Sequence, residues 1–260
     1  MSVTVSGADR IAEAFASSGK RAALMPYLMG GFPTVEASRA VGAAYAAGGA
    51  DLVELGVPFS DPLADGPVIH SAGVEALRNG ANVDSTLALA AELSPAVPVV
   101  VMCYANLVLA RGAEGFAAAL SEAGVSGLIV PDLPLEETPD ILAACDAVGV
   151  ALVPLVAPTT PDERLARIGA LARGFLYTVS VTGTTGERAD GDFGEAVRRA
   201  KASTSVPVAV GFGIGTPERA AEAAAAGADG VIVGSRLVRA AAEGEDIEAL
   251  VRGFAAGLSA

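Results

Sequence analysis

Short apolar runs alternate with alanine-rich segments along the whole chain, and this alternation constrains the fold more than any other sequence feature. Eight of the runs are predicted to be strands, at residues 22–28, 51–55, 97–103, 127–130, 150–155, 174–179, 207–210 and 230–233. Helices are predicted between them, among others at residues 34–47, 135–147, 161–172 and 217–226. Several begin with Thr-Pro or Pro, which suits the first helical turn. This order is typical of βα units that build a parallel sheet.

Eight consecutive units predict an α/β fold in which the sheet closes as a single (β/α)8 (TIM) barrel. A chain of 260 residues that is 52% hydrophobic can bury such a core, and these barrels commonly reach about 250 residues as one unit. Because no Ser/Pro-rich linker or long charge run divides the chain, we expect one domain over residues 1–260. A doubly wound open sheet is the alternative architecture.

Charge and cysteine content limit the possible functions. A net charge of −13 argues against a nucleic-acid partner, because phosphate backbones are bound through clustered Lys and Arg. The chain start lacks a basic segment followed by an apolar run, and no helical stretch of about 18 apolar residues follows. We therefore expect a soluble cytoplasmic protein without a membrane segment. Cys103 and Cys145 lie in apolar settings without C-x-x-C spacing, which predicts reduced packing residues.

An internal repeat exposes one unusual residue. Three segments share the frame G-A-D-x-V-x-x-G, the last only loosely: residues 49–56, 227–234 and 124–131. Glu54 takes the position that Ile232 and Ile129 hold in the other copies. If Val53 and Leu55 face the outer helices, alternation turns Glu54 inward, near the C-terminal mouth where barrel enzymes hold their chemistry. The alternative is a structural Glu paired with an internal Arg, but the predicted strands carry no Lys and no internal Arg.

The loop after the second predicted strand supplies another carboxylate at the same mouth. Residues 57–67 read VPFSDPLADGP and contain Asp65. A Glu among apolar neighbours should have a raised pKa and carry a proton, whereas an Asp on a Gly/Pro loop can stay ionised. The two acids could therefore divide the chemistry. For Asp61 and Asp65 the alternative is turn formation beside Pro and Gly.

Glycine-rich segments follow the sixth, seventh and eighth predicted strands: VTGTTG at 181–186, GFGIG at 211–215, and Gly234-Ser235. Loops after the last strands of a barrel commonly hold phosphate through bare backbone N–H groups and a helix start. Three such loops at one face predict a small phosphorylated ligand.

These motifs together resemble the tryptophan synthase α subunit family, from near the start of the chain to near its end. The most specific match is LVELG at 52–56 followed by PFSDPLADGP at 58–67, with YANLV at 104–108, VGS at 233–235 and the glycine loops in support. The resemblance implies Glu54 and Asp65 as the catalytic pair. It also predicts residues that bind substrate: Tyr27, Tyr177, Thr185, Gly186, Phe212, Gly213, Gly234 and Ser235. The chain departs from the family pattern at two places that concern the indole pocket. Tyr27 stands where many relatives have Phe, and residues 181–182 are Val-Thr where Arg-Ala is frequent.

The implied reaction is retro-aldol cleavage of indole-3-glycerol phosphate to indole and glyceraldehyde 3-phosphate. Such cleavage usually needs a lysine Schiff base or a metal as electron sink. The only lysines, Lys20 and Lys201, lie outside the predicted strands, and His70, predicted to be structural, is the only histidine, so we expect no metal site. The indole ring becomes its own sink once C3 is protonated. By resemblance, Glu54 moves the protons and Asp65 accepts the indole N–H.

The resemblance also implies a partner and leaves alternatives. Indole would pass to a β subunit carrying pyridoxal phosphate in an α2β2 assembly, and this chain would bind no cofactor. One alternative is a related barrel, either indole-glycerol-phosphate synthase, which uses strand lysines that this chain lacks, or phosphoribosylanthranilate isomerase. Others are a stand-alone lyase and a catalytically idle regulatory barrel, against which the pair Glu54 and Asp65 argues.

Overall fold

The computed structural model describes residues 5–179 and 193–259, and within them nine parallel strands form one sheet. The strands are β1 Ala23–Met29, β2 Val53–Gly56, β3 Val99–Met102, β4 Gly127–Ile129, β5 Ala151–Val153, β6 Leu155–Val156, β7 Leu176–Val179, β8 Val208–Gly211 and β9 Gly230–Val233. Their order in the sheet is β5-β4-β3-β2-β1-β9-β8-β7-β6.

The sheet closes through its two end strands, because β5 and β6 are successive segments of one stretch of chain. Pro154 separates them, and a proline has no N–H to donate to a neighbouring strand. Its carbonyl still accepts a 3.0 Å bond from Tyr177 N, which joins this stretch to β7. The predicted barrel is confirmed and the open sheet is wrong. The predicted strand 150–155 differs only in being divided at Pro154.

Helices surround the barrel in the predicted alternation. They are α1 Gly7–Ser17, α2 Val35–Ala47, α3 Pro67–Arg78, α4 Val83–Leu93, α5 Ala105–Arg111, α6 Ala113–Glu122, α7 Thr138–Val148, α8 Asp162–Leu171, α9 Phe193–Ser203, α10 Pro217–Ala225, α11 Ser235–Glu243 and α12 Ile247–Ser259, with a 3-10 turn at Leu135–Glu137. Thr34 and Thr216 cap α2 and α10 by accepting a backbone N–H, which explains why helices begin there. Among the helices of the described residues, none is long and apolar enough to cross a bilayer.

The repeated aspartates hold the starts of neighbouring strands. Asp51 Oδ2 accepts a 2.7 Å bond from Leu24 N, and Lys20 Nζ lies 2.8 Å from both carboxylate oxygens. Asp229 makes the same arrangement with Val208 N and Lys201 Nζ, each at 2.8 Å. Both lysines are therefore engaged at the N-terminal end of the barrel, opposite the mouth.

The apolar core has an inner and an outer layer. Val53 and Leu55 pack in the outer layer against the helices, whereas Leu52, Ile129 and Ile232 pack inside the barrel. The predicted strand orientation is thus confirmed. Cys103 and Cys145 are buried, free thiols in the outer layer, in agreement with their predicted packing role.

Helix α1 fills the N-terminal end of the barrel. Ile11 is fully buried in the inner layer, and the Phe15 and Phe175 rings lie 5.8 Å apart. Backbone also approaches closely, since a Cβ on Gly7 would lie 2.0 Å from Ser126 O. Because this end is filled, the C-terminal mouth is left for the site.

Candidate active site

Glu54 lies inside the barrel between two strands. In the register of the sheet it stands beside Tyr27 of β1 and Val100 of β3. Its side chain occupies the inner layer, as the repeat predicts, and the residue is only 1% exposed. A carboxyl group therefore replaces the aliphatic side chains that Ile129 and Ile232 contribute to the inner apolar cluster.

The Glu54 carboxyl group is buried without full hydrogen bonding. Within the described residues, no hydrogen-bond partner is found for Oε2. Burial, and to a smaller extent the negative charge of Asp65, raise the pKa of Glu54 to about 8. At neutral pH the carboxyl group therefore carries a proton that it can donate.

This pKa predicts how stability changes with pH. Unfolded Glu54 ionises near 4.5, whereas the folded group keeps its proton to about pH 8, so the folded state binds the extra proton between these values. This contribution to stability is full below the unfolded pKa and is lost as pH rises. Its slope reaches about 1.4 kcal/mol per pH unit. Chemical denaturation of wild type and Glu54→Gln should show the variant gaining relative stability across this range, and a constant difference would contradict a raised pKa.

Asp65 lies on the loop between β2 and α3 and faces a second tyrosine. The Tyr104 hydroxyl donates a 2.9 Å bond to Asp65 Oδ1. Burial has the largest effect and leaves the pKa of Asp65 above its usual value, while the hydrogen bond from Tyr104 and the proximity of His70 offset part of that rise. His70 itself is exposed on α3. Asp61, in contrast, is exposed and accepts a 2.6 Å bond from the adjacent Ser60 hydroxyl, which fits the turn-forming alternative.

Tyr27 and Tyr177 each reach across the last glycine of a neighbouring strand. A Cβ on Gly56 would lie 2.0 Å from the Tyr27 hydroxyl, and one on Gly211 would lie 2.1 Å from the Tyr177 hydroxyl. Only glycine leaves room for these phenols. Burial raises both phenol pKa values well above 10, and the charge of Glu54 adds to each shift, so both hydroxyls keep their protons.

The loop after β8 contains two consecutive residues with positive φ. Phe212 has a φ of 75°, and Gly213 follows at 73°. A positive φ is unusual for Phe and is typically retained at ligand sites. The Phe212 ring lies 6.4 Å from that of Tyr177, edge to face, which joins this loop to the inner tyrosine.

The segment after β9 presents a helix start at the same mouth. Gly234 is the N-cap of α11 and Ser235 its first residue, and within residues 5–179 and 193–259 no side chain caps this end. A helix N-terminus carries partial positive charge and favours an anion. Gly234, Ser235, Phe212 and Gly213 therefore lie on adjacent strand ends, as predicted for a phosphate site.

An open cavity of about 450 Å³ beside these loops was not anticipated from the sequence. Its lining combines backbone of the loops with charged side chains: Gly213, Gly215, Thr216, Arg219, Arg236, Arg239, Glu243 and Glu245. Arg236 forms a double 2.8 Å ion pair with Glu245. The arginines lie on α10 and α11, and only the barrel geometry brings them together.

Other predicted residues fall outside the described part of the chain. Thr185, Gly186 and the departure at residues 181–182 belong to residues 180–192, so their role in binding stays a prediction.

The motif at residues 104–108 contains Tyr104, but the sequence alone did not indicate a role for this residue. Its position directly after the third predicted strand, beside the strand of Glu54, was the signal that could have identified it.

Comparison with known proteins relates this chain to a family. The family model for the tryptophan synthase alpha chain matches residues 14–256. Among curated relatives, the tryptophan synthase alpha chain of Methanosarcina mazei is 48% identical, covering 92% of this chain and 90% of the relative. That of Methanosarcina acetivorans is 45% identical, covering 98% and 96%.

Solved structures agree over almost the whole length. A chain of Mycobacterium tuberculosis tryptophan synthase superposes with a TM-score of 0.91 at 41% identity, covering 99% of this chain and 100% of that one. A chain of the tryptophan synthase complex of Pyrococcus furiosus gives 0.82 at 33% identity, covering 91% and 97%. By sequence and by structure, this chain belongs to the tryptophan synthase alpha chain family.

Proposed function

We propose that Glu54 and Asp65 carry out the α reaction of this family, in which indole-3-glycerol phosphate gives indole and glyceraldehyde 3-phosphate. The reaction makes the chain a carbon–carbon lyase. The main support for this assignment is the buried Glu54 carboxyl group, whose Oε2 finds no partner among the described residues and whose pKa is raised to about 8. Such a group can donate a proton at neutral pH and take one back as the carboxylate.

Glu54 alone can supply the proton that the reaction needs and accept the proton that it releases. Glu54 donates its proton to indole C3, and the ring becomes a cation with its charge shared towards nitrogen. The resulting Glu54 carboxylate accepts the proton of the hydroxyl group on the carbon next to C3. The bond between C3 and that carbon breaks, its electron pair returns to the ring, and the carbon becomes the aldehyde. Glu54 ends protonated, so no other acid or base is consumed.

Asp65 would stabilise the charge that appears on the ring. An ionised carboxylate that accepts the indole N–H becomes more favourable as positive charge develops there, which is the condition for transition-state stabilisation. The Tyr104 bond favours its ionised state against the pKa-raising effect of burial. Unlike Glu54, Asp65 is not fully buried. The two environments thus suit opposite protonation states.

The phosphate would lie on the loops after β8 and β9. The positive φ values of Phe212 and Gly213 and the uncapped start of α11 at Ser235 support this placement. Gly186 and Thr185 would complete the site by resemblance. Tyr27 and Tyr177, held against glycines, would form walls of the ring pocket.

The family works as a pair of subunits, and we propose that indole leaves this mouth for a β subunit that carries the pyridoxal phosphate. No cofactor is assigned to this chain. Two large exposed apolar residues support docking at the mouth, because Leu63 on the Asp65 loop is 81% exposed and Leu109 on α5 is 66% exposed. The assembly would be α2β2 in the cytoplasm, with residues 1–260 as one domain.

A direct assay tests this function. The purified chain is given indole-3-glycerol phosphate as sole substrate, alone and with its β subunit, and indole and glyceraldehyde 3-phosphate are measured. Equal amounts of both products should form. In parallel assays with the other substrates, conversion of a phosphoribosylanthranilate, or formation of indole-3-glycerol phosphate from its precursor, would favour a related barrel instead. No turnover of any substrate, with or without the partner, would favour the idle regulatory barrel.

A further inference from the structure

Tyr104 contacts the Asp65 loop at two points. Its hydroxyl donates to Asp65 Oδ1 at 2.9 Å and accepts from Ala64 N at 3.0 Å. The backbone amide has only its hydrogen to offer, so it takes an oxygen lone pair of the phenol. The single hydroxyl proton is then directed to the carboxylate. This arrangement fixes one oxygen of Asp65 and leaves the other for a ligand.

The Tyr104 ring and the backbone that follows it are each held by a neighbouring side chain. The Phe59 ring stacks on it at 5.4 Å with an interplanar angle of 25°. Asp132 Oδ1 accepts a 2.8 Å bond from Ala105 N, at the start of α5. Because neighbouring elements fix both the ring and its backbone, the hydroxyl has little freedom and can define the direction of the Asp65 side chain.

We propose that Tyr104 is a positioning residue that orients Asp65 towards the indole N–H and keeps it ionised. The inference rests on the proposed role of Asp65. It adds Tyr104 to the site as a residue that transfers no proton itself. Burial and the charge of Asp65 raise the pKa of Tyr104, so the phenol remains a donor across the working pH range. Tyr104 would act on the reaction only through Asp65.

A double-mutant cycle tests this coupling. The variants are Tyr104→Phe, Asp65→Asn and the double variant, each assayed for kcat and KM with the β subunit present. Tyr104→Phe keeps the ring that stacks on Phe59, so the fold should persist, and thermal unfolding checks it. We expect Tyr104→Phe to lower kcat about tenfold in wild type, since it removes a hydrogen bond to a charged group. In the Asp65→Asn background the same change should have almost no effect.

A pH profile gives a second readout. Removal of the Tyr104 bond should raise the pKa of Asp65, so the acidic limb of kcat/KM should move to higher pH in Tyr104→Phe. Tyr45→Phe is the matched control, because the buried Tyr45 hydroxyl donates a 2.8 Å bond to a backbone carbonyl, that of Tyr27. Tyr45→Phe should lower thermal stability without moving the acidic limb of the kcat/KM profile. Any effect on kcat should be the same in wild type and in the Asp65→Asn background.

The outcomes separate the inference from the proposed function. If Asp65→Asn strongly lowers kcat but leaves it measurable, and Tyr104→Phe costs the same factor in both backgrounds, Tyr104 acts structurally and the inference is overturned while the function stands. If Asp65→Asn keeps near-normal kcat, Asp65 has no catalytic role, and both the assignment and the inference fall.

Discussion

Replacing Glu54 with glutamine should lower kcat for indole release at least about a hundredfold. The amide keeps the size of the side chain but cannot donate a proton to indole C3 or accept one from the glycerol hydroxyl. Because Glu54 is buried in an apolar cluster, no bulk water replaces it as a proton carrier. KM should change little, since the proposed phosphate contacts follow other strands. The measurement is steady-state indole release at saturating substrate with the β subunit present.

Asp51→Asn provides the matched control for this change. It also converts a largely buried carboxylate to an amide, but at the N-terminal end of the barrel, where Asp51 holds Lys20 and Leu24 N. We expect Asp51→Asn to lower the free energy of unfolding and leave kcat of the folded enzyme near wild type. A Glu54→Gln enzyme with near-normal kcat would remove Glu54 from the mechanism and leave it a structural residue.

The raised pKa of Glu54 adds a pH dependence to the same prediction. The first step needs the protonated acid, so kcat/KM should decline as pH rises through about 8. Activity that falls with rising pH is expected of a general acid. Asp65, in contrast, should make activity rise with pH on the acidic side of the profile. A wild-type profile that keeps rising above that pH would contradict the assigned order of proton transfers.

The barrel and the direction of Glu54 were predictable because both depend on short-range periodicity. Alternation within a strand determines which face a side chain takes, and the repeat supplied the comparison with Ile129 and Ile232. Pro154 in the fifth predicted strand was also visible in the sequence, and its missing N–H explains the division of that strand. The local sequence pattern therefore predicts the barrel even where one strand is divided.

Contacts between distant loops were not predictable in the same way. Tyr104 and Asp65 are 39 residues apart, and their bond depends on where β3 places the tyrosine relative to the loop after β2. The fit of Tyr177 over Gly211 depends likewise on the register between β7 and β8. Sequence pattern locates residues on strands and loops, whereas such pairs need the distances between elements.

The phosphate assignment predicts a large effect on substrate binding. Gly213→Ala should raise KM for indole-3-glycerol phosphate by at least about thirtyfold and leave kcat at saturation much closer to wild type. At a φ of 73° an L side chain is strained, so the loop must change shape, and a Cβ also obstructs close approach of backbone N–H groups to phosphate oxygens. Uniform loss of binding appears in KM.

Gly19→Ala controls for the backbone strain itself. Gly19 has a φ of 66° and no atom within 4 Å of an added Cβ, and it lies between α1 and β1 at the opposite end of the barrel. Both variants should lose about 1 kcal/mol of stability, but only Gly213→Ala should lose substrate affinity. Dephosphorylated indole-3-glycerol completes the test, because wild type should bind it far more weakly than the phosphate ester, whereas Gly213→Ala should bind the two more equally. If Gly213→Ala kept the full preference for the phosphorylated compound, the loop after β8 would not hold the phosphate, and of the proposed phosphate site only the start of α11 would remain.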